Sequence, residues 1–375
     1  DGDGAKEIVA LDEDQDTARV YSYGDLDESS STPSSSFPLT FGPGDALAVG
    51  DLTGDGADEI VVATDRSGSQ GQLSVYRADG TGAATAWPFS PWDGLATGQL
   101  LADAAGKAEV AVIHDESGTV DILSYDDASG GLEWDRFLFD IPFSVHDGFA
   151  IGDVSSASPL DELVIADNDQ HRILIYDAQG DLLGELPVEP LGEHIRAEGY
   201  SVSRDYAGLA VGDVDGDGMD EIALILGDRI HGRVPMVFFD NDSWQWNAEV
   251  EEWEIKWGGQ LRLFSRFLNG FSGIRTTGAD TRHDGFAIGD VGPSGDEEIV
   301  IADVQADHAH ILNYRTWHER YVDLLRAAAS ETDVWTLIGH GGPGGVSPFG
   351  VRDGDVAVQQ LWWDWDVAHL ASTLD

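Results

Sequence analysis

One acidic, glycine-containing motif recurs along the chain, and its recurrence constrains the fold more than any other feature. It is clearest at Gly212–Glu221, where aspartates at alternate positions are followed by a glycine and a closing glutamate. Leu47–Glu59 is nearly a second copy, and apolar runs flank both. Carboxylates crowded in a tight turn repel one another, whereas a hard cation such as Ca²⁺ takes six to eight oxygen ligands. The motif therefore predicts a β-hairpin tip that binds a metal ion.

Partial copies extend the repeat over most of the chain. Asp1–Ala10 keeps the second half of the motif, Phe149–Asp153 and Phe286–Asp290 keep the first half, and Leu95–Gln99 is a degraded version. The glycines that precede the loops lie 48 to 77 residues apart, at Gly50, Gly98, Gly152, Gly212 and Gly289. A period of roughly 40–50 residues with several short strands is typical of propeller blades. The sequence predicts an all-β fold, a β-propeller with six visible repeats.

Short apolar or alternating runs predict the strands of each repeat. Examples are Ile60–Ala63, Gln72–Arg77, Val110–Ile113 and Leu163–Ala166, each bounded by turn-forming residues. The fifth repeat is longer than the others, and Trp244–Trp257 predicts an insertion or an elongated outer hairpin there. Its tryptophans could form a platform that stacks on carbohydrate, but such residues more often pack between blades.

The pattern changes after Tyr314. Thr316–Glu319 has capping-box spacing and precedes a helical apolar face, which predicts a helix. Val334–Ile338 predicts a buried strand, and the glycine-rich Gly339–Gly345 predicts a loop. We therefore assign residues 1–314 to the propeller, with a clipped first blade. We assign residues 315–375 to a short α/β extension that begins a second domain.

The charge of the chain limits its partners. There are 70 Asp and Glu residues against 20 Lys and Arg, a formal net charge of −50. Such a charge argues against nucleic acid, polyanionic substrates and anionic membranes. Only three lysines occur, and an acid-rich, lysine-poor surface suits a salty medium, where the Debye length shrinks to about 3 Å at 1 M. We expect a halophilic or marine source.

Cysteine and long apolar runs are both absent from the sequence. Without cysteine, the chain has no disulfide, thiolate metal site or thiol nucleophile of its own. No run approaches the roughly 20 apolar residues of a membrane helix, so we expect no membrane span. Because the chain starts inside a copy of the motif, we expect the native beginning and any targeting signal to lie upstream, in a larger polypeptide.

The repeated pattern Phe/Leu-Ala-x-Gly-Asp-x-x-Gly-Asp-Gly-x-x-Glu-Ile-Val resembles the FG-GAP (VCBS-type) repeat. This repeat builds the propellers of integrin α-subunits and of many secreted bacterial and archaeal proteins. The resemblance covers residues 1–314 and is strongest at 47–63 and 209–226. It implies an extracellular β-propeller, commonly with seven blades, that binds calcium in the loop between the first two strands of certain blades.

Position by position, the resemblance also implies the calcium ligands. In the two complete loops these are Asp51, Thr53, Asp55, Glu59 and the carbonyl of Ala57, and Asp213, Asp215, Asp217, Glu221 and the carbonyl of Met219. In the clipped first loop they are Asp1, Asp3 and Glu7. Weaker candidates in two degraded loops are Asp153, Asp161, Asp290, Asp296 and Glu298.

The tail resembles the helix–strand–Gly-His-Gly segment of caspase-like and gingipain-like cysteine peptidases. His340 stands at the position of the catalytic histidine, but the cysteine expected on a later strand is absent. The same letters also resemble the oxyanion-hole loop of proline-iminopeptidase-type α/β hydrolases. No Gly-x-Ser-x-Gly nucleophile motif follows it, so either catalytic set is incomplete in this chain.

Acids and histidines precede the first strand of several repeats. A propeller would bring these residues to the channel mouth opposite the acidic loops, where they could bind a cation, a sugar or a basic peptide. The alternative is that each aspartate only initiates a turn. The candidates are Asp45, Asp93, His146, Asp147, Asp205, His283 and Asp284.

These features favour a non-enzymatic function. The first hypothesis is a calcium-stabilised extracellular propeller that serves as an adhesion or ligand-recognition module, with a protein or glycan ligand. The second is an accessory propeller of a caspase- or gingipain-like peptidase whose catalytic cysteine is not in this chain. The third is a propeller that binds or processes polysaccharide.

Overall fold

The computed structural model of the protein describes somewhat more than half of the chain, and all structural statements below concern these residues. They are 7–12, 15–22, 32–42, 45–64, 71–102, 106–126, 128–138, 140–144, 147–155, 158–167, 169–170, 172–187, 208–214, 218–225, 236–239, 244–247, 252–255, 262–263, 285–291, 297–303, 308–313, 339–342, 345–348, 351–353, 356–358 and 362–363. Every regular element in these ranges is a β-strand.

Six antiparallel sheets follow one another along the chain. The first is β1 (Glu7–Asp12), β2 (Thr17–Ser22) and β3 (Ser35–Pro38). The second is β4 (Ala46–Gly50), β5 (Glu59–Thr64), β6 (Gln72–Tyr76) and β7 (Gly82–Ala86). The third is β8 (Gly94–Gly98), β9 (Glu109–His114), β10 (Thr119–Asp126) and β11 (Gly131–Leu138). The fourth is β12 (Gly148–Gly152), β13 (Glu162–Asp167), β14 (Arg172–Tyr176) and β15 (Leu182–Pro187).

The fifth sheet contains an inserted hairpin. Its strands are β16 (Gly208–Gly212), β17 (Glu221–Ile225), β18 (Met236–Phe239) and β21 (Arg262–Leu263). Between β18 and β21 lies the separate hairpin of β19 (Trp244–Asn247) and β20 (Glu252–Ile255), which confirms the predicted outer hairpin. The sixth sheet is β22 (Gly285–Gly289), β23 (Glu298–Asp303) and β24 (His308–Asn313).

The strands occupy equivalent places in these sheets. We call β4, β8, β12, β16 and β22 the inner strands, and the strands that follow them the second strands. In each hairpin the last glycine of the inner strand pairs with the first glutamate of the second strand, as Gly50 does with Glu59 and Gly152 with Glu162. β1 begins with Glu7, as the other second strands begin with a glutamate, and it pairs with β2. We therefore class β1 as a second strand.

The second strands are continuous apolar runs because neighbouring sheets cover both of their faces. β5, β9 and β13 are buried along almost their whole length, whereas the outer strand β7 alternates between exposed and partly buried residues. Separate apolar cores fill the spaces between sheets one and two, two and three, and three and four. Stacked sheets of this kind pack about 10 Å apart.

The inner strands lie beside one another in chain order, which arranges the sheets around an axis. β4 contacts β8, β8 contacts β12, β12 contacts β16, and β16 contacts β22. Four-stranded sheets that pack face to face with their first strands innermost are the blades of a β-propeller. The predicted all-β propeller is therefore confirmed, and the number of seven blades stays a prediction.

The tail contributes short strands. They are β25 (Gly339–Gly342), β26 (Gly345–Pro348), β27 (Val351–Asp353), β28 (Val356–Val358) and β29 (Trp362–Trp363). The structure thus places Gly339–Gly342 in a strand paired with Gly345–Pro348, not in the predicted loop. The predicted helix after Thr316 and the strand Val334–Ile338 lie outside the described residues, and the domain boundary at residue 314 stays a prediction. In the described part of the chain, no helix is long and apolar enough to cross a membrane.

Candidate functional site: the hairpin tips

The tip between β4 and β5 is organised by one carboxylate. Oδ1 of Asp51 accepts hydrogen bonds from the backbone N–H groups of Gly54 (2.7 Å) and Asp55 (3.2 Å), and Oδ2 accepts one from Gly56 (2.9 Å). Both glycines have positive φ, 75° and 86°, which side chains rarely adopt. Oδ1 of Asp55 accepts from Ala57 N–H at 3.0 Å. The loop is thereby wound around the first aspartate.

The tip between β16 and β17 has the same local geometry. The N–H of Gly218 donates to Oδ2 of Asp213 at 2.9 Å, as Gly56 does to Asp51, and Gly218 has a φ of 92°. Met219 and Glu221 follow as Ala57 and Glu59 do, whereas the predicted ligands Asp215 and Asp217 lie outside the described residues. Two tips 162 residues apart in sequence therefore fold alike wherever both are described.

The first of these tips fits a hard cation by its donor chemistry. Its candidate ligands are all oxygens, and Oγ1 of Thr53, at the second predicted ligand position, is buried without a hydrogen-bond partner. A buried hydroxyl that no protein group satisfies costs about 1–3 kcal/mol, which a bound cation would offset. Among the described residues, no three His, Asp or Glu side chains already converge as a metal-binding group.

The glutamate that closes each tip, here called the tip glutamate, is buried beneath the loop. One of its carboxylate oxygens accepts the backbone N–H of the second loop residue, and the arrangement recurs in five blades. The donor–acceptor pairs are Leu52–Glu59 (3.1 Å), Leu100–Glu109 (2.8 Å), Val154–Glu162 (3.1 Å), Val214–Glu221 (3.0 Å) and Val291–Glu298 (3.1 Å). The third blade has this bond although Gln99 replaces the leading aspartate of its loop.

Burial raises the pKa of two tip glutamates. Desolvation is the main cause that raises the pKa of Glu59, and the charges of Asp55 and Asp51 add to it. In the fourth blade, burial and the nearby Asp153 raise the pKa of Glu162 to about 8. The other oxygen of Glu162 is buried with no hydrogen-bond partner. A cation in these tips would favour the ionised carboxylates.

Neighbouring tips are joined by a second recurrent contact, the tip joint. In the third to the sixth blades, the residue before the tip glutamate donates its N–H to the carbonyl of the first loop residue in the preceding blade. The pairs are Ala108–Asp51 (2.9 Å), Asp161–Gln99 (3.0 Å), Asp220–Asp153 (2.9 Å) and Glu297–Asp213 (3.3 Å). The first loop residue of each tip is thus held by the next blade.

Two aspartates make the tip joint reciprocal. Oδ2 of Asp161 accepts the N–H of Gln99 at 2.7 Å, and Oδ2 of Asp220 accepts the N–H of Asp153 at 2.8 Å. Burial raises the pKa of Asp161, and burial together with the charge of Glu297 raises that of Asp220 to about 7. These carboxylates therefore serve as contacts between blades.

The glycine before the loop leaves room for the tip joint in the third, fourth and fifth blades. A Cβ at Gly98 would collide with Ile151 and Asp161 of the next blade, and a Cβ at Gly152 would collide with Val211 and Asp220. Gly212 meets the next blade in the same way. These glycines recur because the inner strands approach too closely for any side chain.

The degraded tips keep parts of this arrangement. Asp153 and Asp161 lie at the fourth tip, where burial raises the pKa of both carboxyl groups. Asp290 and Glu298 begin and close the sixth tip, and Asp296 lies outside the described residues. Of the first tip, the described part is Glu7, while Asp1 and Asp3 lie outside it.

At the opposite rim, three of the predicted mouth residues form turns. Asp45, Asp93 and Asp147 each accept, through Oδ2, the N–H of the residue three positions earlier, at 2.9, 2.8 and 2.7 Å. These bonds fit the turn interpretation of the aspartates. The remaining mouth candidates, His146, Asp205, His283 and Asp284, lie outside the described residues.

His114 connects one of these turns to its blade. Its Nδ1 lies 3.0 Å from Oδ2 of Asp93 and its Nε2 lies 3.0 Å from Oδ2 of Asp121. Hydrogen bonds to these two aspartates raise the pKa of His114 to about 9, so the ring is an imidazolium at neutral pH. Burial alone would raise the pKa of Asp93, but its bonds with His114, Ser90 and Asp115 lower it. Asp93 therefore serves structure at this rim.

Two other sequence hypotheses concern the tryptophans and the tail. In the hairpin β19–β20, Trp246 pairs with Trp253 and Trp244 pairs with Ile255, while Trp257 lies outside the described residues. His340 lies in β25 opposite Ser347. Its role as a peptidase histidine stays a prediction, as does the resemblance of the tail to cysteine peptidases.

The sequence analysis missed the tip joint and the contacts of His114. One signal was present, because a glutamate precedes the apolar second strand in every repeat, including the third, which lacks the leading aspartate. An acid also precedes that glutamate in four repeats, at Asp58, Asp161, Asp220 and Glu297. No comparable pattern marks His114, whose partners come from different elements.

Comparison with known proteins identifies one repeat directly. Residues 43–76, which contain β4, β5 and β6, match the family model of the FG-GAP repeat. No curated protein matches the chain by sequence.

Several solved structures are similar at low identity. The SapL1 lectin in complex with alpha methyl fucoside is 11% identical, with a TM-score of 0.43, over 83% of this chain and 90% of that one. A protein of unknown function from Bacteroides caccae is 12% identical, with a TM-score of 0.37, over 67% and 72%. A protein from Lactobacillus plantarum is 14% identical, with a TM-score of 0.36, over 79% and 76%.

The fold assignment therefore rests on this chain's own strand order and register. Its second blade contains the matched FG-GAP repeat, and four further blades share the paired glycine and tip glutamate of that repeat. The described part of the protein is therefore a β-propeller whose second blade is an FG-GAP repeat.

Proposed function

We propose that the chain is a calcium-binding β-propeller that serves as an adhesion or ligand-recognition module of a larger surface or secreted protein. The observation that carries the calcium proposal is the tip at Asp51–Glu59, where a buried threonine hydroxyl lacks a partner inside a loop of oxygen donors. The matching geometry at Asp213 and Gly218 supports a second site of the same kind.

The proposed ligands are side chains and one carbonyl of each tip. In the second blade Asp51, Thr53, Asp55 and the carbonyl of Ala57 would hold the ion, with Glu59 behind them. Bound calcium would supply positive charge that neutralises the crowded carboxylates. The protein's own groups keep the loop ready for the ion, since backbone N–H groups orient Asp51 and Glu59 anchors Leu52 from below.

Calorimetric titration tests the sites. Protein stripped with a chelator is titrated with CaCl₂, and at least two binding events are expected. Asp55→Asn should remove one event and Asp217→Asn another. Glu116→Gln is the matched control, because it removes the same charge from an exposed turn between β9 and β10 and should leave both events unchanged.

Two results would contradict the calcium proposal. One is the absence of any heat with the unmodified chain. The other is equal loss of binding in Glu116→Gln and Asp55→Asn, since that would show a diffuse charge effect and not a defined site.

A propeller built from FG-GAP repeats is a ligand-binding module in general terms, and we propose a protein or glycan as its ligand. Calcium affinities of 10⁻⁴–10⁻³ M are typical of extracellular modules, so a site of that strength would support secretion. Binding to glycan arrays and to immobilised surface proteins, with calcium and with chelator, identifies the class of ligand. The absence of binding to either class, both with calcium and with chelator, would contradict the recognition role.

The composition supports a salty environment for this module. A formal charge of −50 destabilises the compact state by self-repulsion unless salt screens it. Thermal melts from low to high salt are expected to show a rising midpoint. A midpoint that does not change with salt would contradict the halophilic source.

A further inference from the structure

The outer strand of the third blade carries two exposed aromatic side chains. Trp134 is 50% exposed and Phe137 is 41% exposed, and both lie on β11, the outermost strand of its sheet. Their ring centroids lie 5.6 Å apart, with an angle of 33° between the ring planes. A single exposed apolar residue is ordinary, whereas two large exposed rings in contact form a patch that is a candidate binding surface.

A β-bulge places both rings on one face of the blade. The register of β10 and β11 shifts between Ile122 and Leu123, which leaves Asp135 as an extra residue on β11. Residues three positions apart in a regular strand lie on opposite faces of the sheet. The extra residue changes this alternation, so that Trp134 lies on the same face as Phe137. The bulge therefore creates the aromatic pair.

The face that carries the rings is the one that packs on the second blade. Leu123, which pairs with Trp134, belongs to the apolar core between sheets two and three. The N–H of Leu132 donates to Oγ1 of Thr85 on β7 at 3.2 Å, so the second blade covers the start of β11. The exposure of Trp134 and Phe137 shows that this cover ends before the rings. The aromatic pair thus lies at the outer margin of the contact between the two blades.

A carboxylate lies beside the rings on the same face. Asp121 is the direct partner of Phe137 across β10 and β11, and its side chain is 19% exposed. Oδ2 of Asp121 lies 3.0 Å from Nε2 of His114, whose Nδ1 lies 3.0 Å from Oδ2 of Asp93. In the described part of the chain, Oδ1 of Asp121 accepts no hydrogen bond. One carboxylate oxygen next to the rings therefore remains for a ligand.

The chemistry of this surface favours an organic cation over a sugar. Among the two rings, Asp121 and His114, the indole N–H of Trp134 is the remaining side-chain donor, since carboxylates hold both nitrogens of His114. A sugar presents hydroxyl groups that both donate and accept hydrogen bonds. A guanidinium only donates, and it also stacks on aromatic rings. The formal net charge of −50 attracts such a cation as well.

We propose that Trp134, Phe137 and Asp121 bind an arginine side chain of a protein partner. The guanidinium stacks on the exposed rings, within the range of about 6 Å from a ring centroid over which cation–π attraction acts. It donates at the same time to Oδ1 of Asp121. This inference rests on the proposed recognition function and names the chemistry of the partner, a protein with an exposed arginine.

A short peptide tests the site on the complete chain. The probe is acetyl-Gly-Arg-Gly-amide, and ligand-observed saturation-transfer NMR measures its binding in 1 M NaCl, where a Debye length of about 3 Å suppresses diffuse attraction. Trp134→Ala should weaken binding at least about fivefold, and Trp134→Phe should retain most of it. Leu182→Ala is the matched control, because it removes another exposed apolar side chain, 53% exposed on β15, and should leave binding unchanged. Melting temperatures of the variants check that all of them fold.

A second peptide tests the role of the positive charge. Citrulline has the shape of arginine without its charge, so the peptide with citrulline should bind at least about fivefold more weakly. Equal binding of the two peptides would overturn the proposal. So would binding of the arginine peptide that Trp134→Ala leaves unchanged, or no binding of that peptide at all.

Two other occupants of the surface give different results. A neutral oligosaccharide whose binding is abolished by Trp134→Ala would identify a sugar site and overturn the proposal. A dimer of the chain that the same substitution dissociates would show that a second copy covers the rings, which would also overturn it. Failure of the arginine site with retained binding to another protein or to glycans would leave the recognition function in place, since that function is contradicted only when neither class binds.

Discussion

The tips of the second and third blades share the buried glutamate but differ in their loop aspartates. This difference distinguishes the structural role of the motif from its proposed role in calcium binding. Both tips bury a glutamate that accepts the N–H of the second loop residue, from Leu52 in one blade and from Leu100 in the other. The second blade has Asp51 and Asp55 in its loop, whereas the third has Gln99 in place of Asp51 and keeps one aspartate, Asp103. The glutamate contact therefore belongs to the fold. The leading aspartate belongs to the proposed calcium site, and it can be lost while the glutamate contact is kept.

Removal of calcium should produce the largest effect and distinguish the two tips. Each occupied site adds about 2.7 kcal/mol at a calcium concentration 100 times the dissociation constant. A chelator should therefore lower the melting temperature of the unmodified chain by several degrees. Asp55→Asn should reduce this shift, whereas Gln99→Ala in the third tip should not. Equal shifts for all three proteins would contradict a site in the second tip.

Glu109→Ala should be the most destabilising substitution in the third blade. It leaves the N–H groups of Leu100 and Leu101 without the carboxylate that they share, at a cost of about 3 kcal/mol. Chemical denaturation measures the loss, which should be the same with and without calcium. Glu116→Ala, an exposed change in the same blade, is the control and should lie within about 0.5 kcal/mol of the unmodified chain. A loss no larger than that of the control would show that the tip glutamate is dispensable.

The third blade also carries a pH-dependent contact at its other end. The pKa of His114 is raised from 6.5 to about 9 by its bonds to Asp121 and Asp93. Stability from a raised pKa is fully present below pH 6.5 and is lost as the pH rises through about 9. The free energy of unfolding of the unmodified chain should exceed that of His114→Gln by about 2 kcal/mol at pH 6 and by much less at pH 10. A pH-independent difference would contradict the charged form of this histidine.

Asp161→Ala should have the smallest effect on stability. Asp161 belongs to the fourth blade, so the substitution changes the third tip from the neighbouring blade. The substitution removes the acceptor for the N–H of Gln99 but keeps the backbone bond to the carbonyl of Gln99. A loss of about 1 kcal/mol is expected in chemical denaturation. Amide exchange should also accelerate at Gln99 and not at Asp51, whose joint uses Ala108. Asp135→Ala, an exposed acid on β11, is the control.

The strands could be predicted because the physical pattern that makes them is local. Glu59–Thr64 and Glu109–His114 are apolar runs bounded by turn residues, and both are buried as such runs require. The predicted strand Leu163–Ala166 lies within the observed strand Glu162–Asp167. The extra length of the fifth repeat and its tryptophan-containing segment predicted an insertion or an elongated outer hairpin, and a hairpin is observed there.

The direction in which an acid points could not be predicted from spacing. Glu59 fits the last ligand position of a calcium loop, yet one of its oxygens bonds beneath the loop to Leu52. Asp161 and Asp220 reach across to another blade, which depends on contacts between residues 62 or more positions apart. The hydrogen-bond partners of His114 are likewise determined by how the turn at Asp93 packs against the blade.

The tip joint has a consequence for how such a protein can change in evolution. Among the described blades, the second to the fifth each offer a carbonyl to the next blade, and the third to the sixth each offer an N–H to the blade before, from backbone positions that any residue except proline provides. A unit can therefore be duplicated or deleted whole, and the new neighbours meet with complementary ends. Loops such as residues 99–108 can then diverge in sequence while the spacing between neighbouring blades is kept.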